Sequence, residues 1–272
     1  MRTLLVTGCS TGIGHHAAHA LSARGWRVFA ACRKPEDCAA LRGEGLESPL
    51  IDYEAPATIE SGLADVLDKT DGRLNAVFNN GAYAIPGLVE DMPTDALRAI
   101  FEANFFGWHD LTRRAIPVFR AQGHGRIVQN SSVLGFAAMP WRGAYNATKF
   151  ALEGLTDTLR LEMRDAPIHV SLIEPGPITS RFRANARDQF ARWIDWKASA
   201  RADDYAARVS QLDSDAPAKF ELGPEAVTEK LVHALESPRP RARYYVTTPT
   251  HLGGALKRIL PTRALDAVLA RN

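Results

Sequence analysis

The chain reads as a single-domain α/β protein built on a doubly wound parallel sheet of about seven strands. Three observations predict this. Short apolar runs alternate with longer helical patterns along the 272 residues. The runs do not interleave with polar residues, as expected of parallel strands covered on both faces. A glycine-rich turn, Gly8 to Gly14, follows the first run at once. Such alternation implies right-handed βαβ crossovers, and ligands of these sheets bind outside the carboxyl ends of the strands.

The expected strands are Thr3–Thr7, Arg27–Cys32, Ser48–Ile51, Asn75–Asn79, Arg126–Asn130, His169–Ile173 and Arg243–Thr247. Helices are expected at Ile13–Arg24 and Ala57–Leu67, with two more inside Asp95–Arg120. A long Ala-rich helix covers Ala144–Arg164, and Glu225–Leu235 opens with Pro224 just before it. No linker divides residues 1–272 into two cores. An insertion from Ser180 to about Phe220 carries Phe190, Trp193 and Ile194 at i, i+3, i+4, with Tyr205 and Val209 four apart. That spacing predicts one or two amphipathic helices forming a substrate lid over residues 180–220. The tail, 250–272, places Leu252, Leu256, Ile259 and Leu260 at helical spacing beside Lys257 and Arg258; it is too short and too modestly charged to prefer a membrane surface over packing on its own domain or a sister subunit.

Composition excludes several classes. A net charge of +2 argues against nucleic acid and anionic membranes as partners. Cys9, Cys32 and Cys38 form no even framework and no C-x-x-C pair, so free thiols in a reducing cytoplasm are expected. The run Leu4-Leu5-Val6 is too short for a signal peptide, and no stretch reaches the ~20 apolar residues of a membrane span.

The turn Thr7-Gly8-Cys9-Ser10-Thr11-Gly12-Ile13-Gly14 lies between a strand and a helix. A helix start offers unpaired N–H groups and a positive dipole end, a ready phosphate site, and glycines let the backbone approach the ligand. The same residues match G-x-S-x-G, the nucleophile elbow of hydrolases, with His109, His124, His169, His233 or His251 as formal partners. Position argues against it: an elbow normally follows several strands, and only six residues precede Thr7. Cys9 is a small residue of the turn. After the second strand comes Arg33 and no carboxylate, which favours a 2′-phosphate and hence NADP(H) over NAD(H).

Further along, Tyr145 and Lys149 stand four apart on one helix face, thirteen residues after Ser132. An ammonium beside a phenol favours its ionised form and makes a proton donor and acceptor of it. Chance would supply about 0.15 such Tyr–Lys pairs in a chain of this composition. No metal site is expected: there is no H-E-x-x-H, and the neighbouring His15 and His16 diverge on their helix.

With the glycine turn, Asn79-Asn80-Gly81-Ala82, Asn104, Ser132, Tyr145-x-x-x-Lys149 and Pro175-Gly176 in order, the chain resembles a classical short-chain dehydrogenase/reductase (SDR), a family of Rossmann type, over residues 1 to about 180. It is most similar there to NADP-dependent enzymes of hydroxysteroids, retinoids and related carbonyl compounds. The resemblance implies roles. Tyr145 is the general acid or base, Lys149 lowers its pKa and binds the nicotinamide ribose, and Ser132, rather than Ser131, bonds the substrate oxygen. Asn104 anchors a water leading to Lys149. Gly8, Ser10, Thr11, Gly12, Ile13 and Gly14 line the pyrophosphate and adenosine ribose, and Asp52 touches the adenine. Asn79 and Gly81 pack beside the adenosine. Pro175, Gly176 and Ile178 bring backbone to the carboxamide, with Thr179 or Ser180 nearby. Two departures stand out: the usual Asn-Asn-Ala-Gly ends here in Gly81-Ala82, and Pro177 follows the proline–glycine pair. The function implied is carbonyl–alcohol interconversion with a small hydrophobic substrate, in a homodimer or homotetramer. A non-catalytic dinucleotide sensor on the same fold is the second reading.

Overall fold

The structure, a computed structural model, describes residues 1–212 and 218–270. In chain order the elements are β1 (Thr3–Thr7), α1 (Gly12–Ala23), β2 (Arg27–Ala31), α2 (Pro35–Gly43), α3 (Pro56–Asp68) and β3 (Ala76–Asn79). They continue with α4 (Thr94–Phe101), α5 (Gly107–Gln122), β4 (Gly125–Asn130), α6 (Gly143–Glu162), β5 (Ile168–Glu174), α7 (Phe182–Trp193) and α8 (Ala202–Leu212). Last come α9 (Glu225–Glu236), β6 (Arg243–Tyr245), α10 (Thr248–Ile259) and α11 (Thr262–Leu269). The sheet is parallel throughout, in the order β2-β1-β3-β4-β5-β6.

Alternate residues of each strand feed two cores. Leu4 and Val6 pack with Ala17, Leu21, Val227 and Leu231 of α1 and α9. Leu5 faces the other way, toward Ile59, Leu63, Leu111, Phe119 and Leu152 of α3, α5 and α6. Both faces of the strands are therefore apolar, which is why the strands read as continuous runs. The chain leaves β1 toward β2 on one side and returns to β3 on the other, so a crevice opens between the carboxyl ends of β1 and β3.

The sheet has six strands, one fewer than expected. Residues 47–50 run beside β2 but touch it only through isolated bridges, Phe29 to Glu47 and Cys32 to Leu50. Pro49 is the reason: it has no N–H to continue the ladder. The Ser48 hydroxyl donates to the Ala30 carbonyl instead, at 2.6 Å. The two helices expected within 95–120 are α4 and α5, joined by a wide π turn at Glu102–Phe106. Helix α2 was not anticipated, although Pro35 opens it.

The insertion folds as α7 and α8. Phe190, Ile194 and Tyr205 are buried there in a third cluster with Tyr83, Ile85, Ile100 and Tyr145, and the Leu88 N–H donates to the Tyr205 hydroxyl at 2.9 Å. Within the insertion, residues 213–217 lie outside the described residues, as do 271 and 272 of the tail. The tail's apolar residues do not all pack on the domain: Leu252 and Ile259 are 57% and 75% exposed. Among the described residues no helix is long and apolar enough to cross a membrane.

Candidate active site

Backbone meets backbone at the crevice. Gly8 has φ +67°, a left-handed conformation, and a Cβ there would sit 2.5 Å from the Gly81 Cα. A Cβ on Gly14 would sit 2.3 Å from the Gly8 carbonyl oxygen. Only glycine fits either place. Helix α1 then begins with Thr11 at its N-cap, without a side-chain cap and with no acidic residue in its first turn. Its first N–H groups are left for an outside acceptor, so the cradle fits a phosphate. Buried Cys9 donates its thiol to the Val6 carbonyl at 3.3 Å, and burial pushes its pKa well up, so it stays a neutral packing group. Two of the five histidines named for a hydrolase are engaged elsewhere: His124 with Asn75 and His233 with Tyr244.

The end of β3 corrects one expectation. Asn79 is fully buried and spends its side chain inward. It accepts from the Tyr53 hydroxyl at 2.6 Å and donates to Thr112 at 3.0 Å and Gln129 at 2.9 Å. Asn80 faces the crevice in its place, because successive side chains of an extended chain point oppositely. Its Nδ2 donates to the carbonyls of Thr7, at 3.0 Å, and Gly8, at 3.3 Å. Asn130 Nδ2 donates to Asn80 Oδ1 at 2.8 Å, and Lys149 Nζ donates to the Asn130 carbonyl at 2.8 Å. A hydrogen-bonded line thus joins Lys149 to the glycine turn. Tyr53, Asn80 and Asn130 were missed in the sequence; the polar residues closing β3 and β4 were the available signal.

Tyr145 and Lys149 stand on the first two turns of α6, both buried. Ser132, just past β4, lies close enough to the Tyr145 phenol to favour its ionised form. Ser131 turns the other way, toward Gly135 and Glu153, so the structure brings together the serine chosen by spacing. The Ser132 Oγ accepts from Leu134 N–H at 3.1 Å. Phe182 of α7 packs edge-on against Tyr145, ring centroids 5.4 Å apart. Lys149 Nζ lies 4.1 Å from the Trp108 ring centroid and 5.6 Å from that of Tyr145.

The electrostatics differ from the simple pairing of phenol and ammonium. Burial raises the Tyr145 pKa, with only Ser132 opposing it. Burial also pushes Lys149 down to about 7, with Glu153 one turn on opposing. Both groups are desolvated, and in low dielectric each favours its neutral form. Asn104 sits in the π turn with its side chain clamped on Tyr83: it accepts from the Tyr83 N–H at 3.1 Å and donates to its carbonyl at 2.8 Å.

Past β5, Gly176 lies under Thr247, where a Cβ would meet the hydroxyl at 2.1 Å. Ile178 forms a parallel bridge with Leu222. The Thr179 hydroxyl donates to Glu221 at 2.9 Å. Ser180 instead faces the glycine turn, its Cβ 2.8 Å from where a side chain on Gly12 would begin. Exposed Arg33 follows β2, close enough for its charge to act on Glu54 and Tyr83. Asp52 caps the Glu54 N–H at 3.1 Å.

Known proteins are similar to this chain in sequence and fold. A family model described as short chain dehydrogenase matches residues 2–191. The uncharacterized oxidoreductase YbbO of Escherichia coli K12 is 40% identical over 98% of this chain and 94% of its own. Human retinol dehydrogenase 8 is 29% identical, over 89% of this chain and 80% of its own. The crystal structure of a short-chain dehydrogenase from Streptomyces avermitilis superposes with a TM-score of 0.77 at 26% identity, covering 98% of this chain and 95% of the other. The family match over residues 2–191 and the 40% identical relative show the family: the chain belongs to the short-chain dehydrogenase family and is an NAD(P)-dependent oxidoreductase.

Proposed function

We propose that the protein interconverts an apolar ketone or aldehyde and its alcohol, with NADP(H) preferred over NAD(H). The carrying observation is the placement of Ser132, Tyr145 and Lys149 together at the carboxyl ends of the strands, joined through Asn130 and Asn80 to the glycine turn. The turn and the start of α1 would hold the pyrophosphate, Gly81 and Asp52 the adenosine, and Arg33 the 2′-phosphate. Residues 175–180 would meet the carboxamide, with Ser180 supplying the hydroxyl since Thr179 is held by Glu221. The bound nicotinamide supplies or takes the hydride.

Tyr145 gives the proton. Its raised pKa keeps the phenol protonated, the form a general acid needs in carbonyl reduction. Ser132 donates to the same oxygen as negative charge grows there. Lys149 would bind the ribose and, when charged, favour the tyrosinate needed for alcohol oxidation. Asn104 commits its side chain to Tyr83, so its main-chain carbonyl would anchor the water toward Lys149. Helices α7 and α8 would form the lid, with Phe190 and Tyr205 packing it down and Phe182 facing an apolar substrate beside Tyr145. The three buried free thiols fit a reducing cytoplasm, and Phe150, 40% exposed on α6, fits a homo-oligomer interface.

NADPH oxidation against steroids, retinal, quinones, aldehydes and simple keto compounds tests the activity. Tyr145→Phe should lose turnover on every substrate while still binding NADPH; unchanged turnover ends the mechanism. At a hundredfold excess over Kd a ligand stabilises the fold by about 2.7 kcal/mol. NADPH should raise Tm more than NADH, and Arg33→Ala should close that gap; equal shifts in the wild type would exclude the preference.

A further inference from the structure

Arg142 occupies the N-cap of α6, in the turn before Tyr145. Its backbone is fixed by a bridge to Gly87 and by the Asn146 N–H, which donates to its carbonyl at 2.8 Å. The preceding Trp141 has φ +66°, a left-handed conformation a tryptophan adopts only under constraint. Tyr205 of α8 meets the Trp141 ring edge-on at 4.7 Å, and the Arg208 guanidinium stands 5.7 Å from its centroid. The segment is therefore held, not loose.

What it holds is a charge without a counter-charge. The Arg142 side chain is partly buried and makes no ion pair or hydrogen bond among the described residues. Burial lowers its pKa, and the charges of Arg208 of α8 and of Arg183 of α7, the latter paired with Glu221, add to the pressure. Arginine does not escape by losing its proton, since its ordinary pKa lies far above neutrality. A desolvated cation beside Arg208, with no anion bonded to it, is unfavourable unless one joins it. Aromatic and apolar side chains, Tyr83, Phe182 and Phe190 among them, complete the surroundings of Tyr145.

We propose that Arg142, flanked by Arg208, is a subsite for an anionic group, a carboxylate or phosphate, carried by the carbonyl substrate. The substrate is then an amphiphile with an apolar body and a negative end near the reacting carbonyl, because residues three apart at a helix start are neighbours, about 5–6 Å between Cβ atoms. This rests on the reading of Tyr145 as the proton donor of a carbonyl reductase. A guanidinium grips either anion through two parallel N–H bonds.

The test is a matched pair, a medium-chain γ-oxo acid and its methyl ester, followed by NADPH oxidation. The wild type should favour the acid in kcat/KM by about tenfold to a hundredfold, the worth of one charge-assisted hydrogen bond. In Arg142→Gln the ratio should fall to near one, and in Arg208→Gln to an intermediate value. In parallel, octanoate, octyl phosphate and methyl octanoate are compared by thermal shift with NADPH present. A larger shift from either anion than from the ester, abolished in Arg142→Gln, supports the subsite and tells carboxylate from phosphate. It does so even if no carbonyl compound is turned over, an outcome that would overturn the reductase reading alone. Equal shifts from all three ligands, or an acid-to-ester ratio near one in the wild type, overturn the subsite.

Discussion

Glu174→Gln should remove a pH dependence of stability that the fold places directly beneath the active site. Glu174 ends β5 and is fully buried. Arg243 Nη1 donates to it at 2.5 Å and also to Glu153, while Nη2 donates to Asp157 at 2.6 Å. Burial and the Glu153 charge outweigh Arg243 and push Glu174 up to about 8. An unfolded glutamate titrates near about 4.3. A group whose folded pKa is the higher contributes stability that is complete below the unfolded value and is lost as pH rises through the folded one. Stability should therefore fall between about pH 4.3 and about pH 8, by at most about 1.4 kcal/mol per pH unit for one proton. Lys149 works in the opposite sense. Its folded pKa of about 7 lies below the unfolded value, so its contribution is complete above about 10.4 and is lost as pH falls through about 7. The joint contribution of these two groups is therefore smallest near pH 7 to 8. Urea midpoints across about pH 5 to 8, without added cofactor, measure this. Glutamine keeps a hydrogen bond to Arg243 but cannot ionise, so the falling limb should flatten. A variant with the wild-type slope would show that Glu174 is not the group losing its proton.

The remaining predictions use the same structure. Gly14→Ala drives a Cβ into the Gly8 carbonyl, backbone against backbone, and should cost about 1–3 kcal/mol and abolish the thermal shift from NADPH, read by urea denaturation and calorimetry. Tyr53→Phe removes a buried hydroxyl 2.7 Å from Thr7 and 2.6 Å from Asn79, leaving both underbonded; a loss of about 1–3 kcal/mol is expected, with weakened cofactor binding because Thr7 also receives the Asn80 N–H. Tyr205→Phe leaves the Leu88 N–H buried without its acceptor and should loosen α8 first, seen as faster hydrogen exchange in 202–209 than in the sheet.

The parts of the site that were legible in the sequence depend on short-range geometry. Tyr145 and Lys149 share a helix face by spacing alone, and the glycine turn lies between a strand and a helix by adjacency. The first helix of the insertion, α7, showed in the period of Phe190, Trp193 and Ile194. What was not legible depends on orientation or on distant partners. Which of Asn79 and Asn80 enters the crevice turns on where β3 begins its last alternation. The Arg243 contact with Glu153 and Glu174 spans 90 and 69 positions, and no local pattern announces it. Pro49 was readable in principle, since a proline in a presumed strand argues for an interrupted edge.

The swapped pair Gly81-Ala82 shows why a departure from a familiar motif need not disturb a site. Gly81 has no positive φ, so the position does not call for glycine on conformational grounds. A Cβ at residue 81 would meet Gly8 N and Cα at 3.3 Å, tight yet tolerable, whereas a Cβ at Gly8 would meet Gly81 at 2.5 Å. The indispensable glycine of that contact is thus Gly8, and alanine in its usual place would only press on it. Glycine at 81 relieves that pressure, and Ala82 contributes its methyl to the core beside Trp108. The constraint resides in the approach of β1 to β3, not in the order of two small residues.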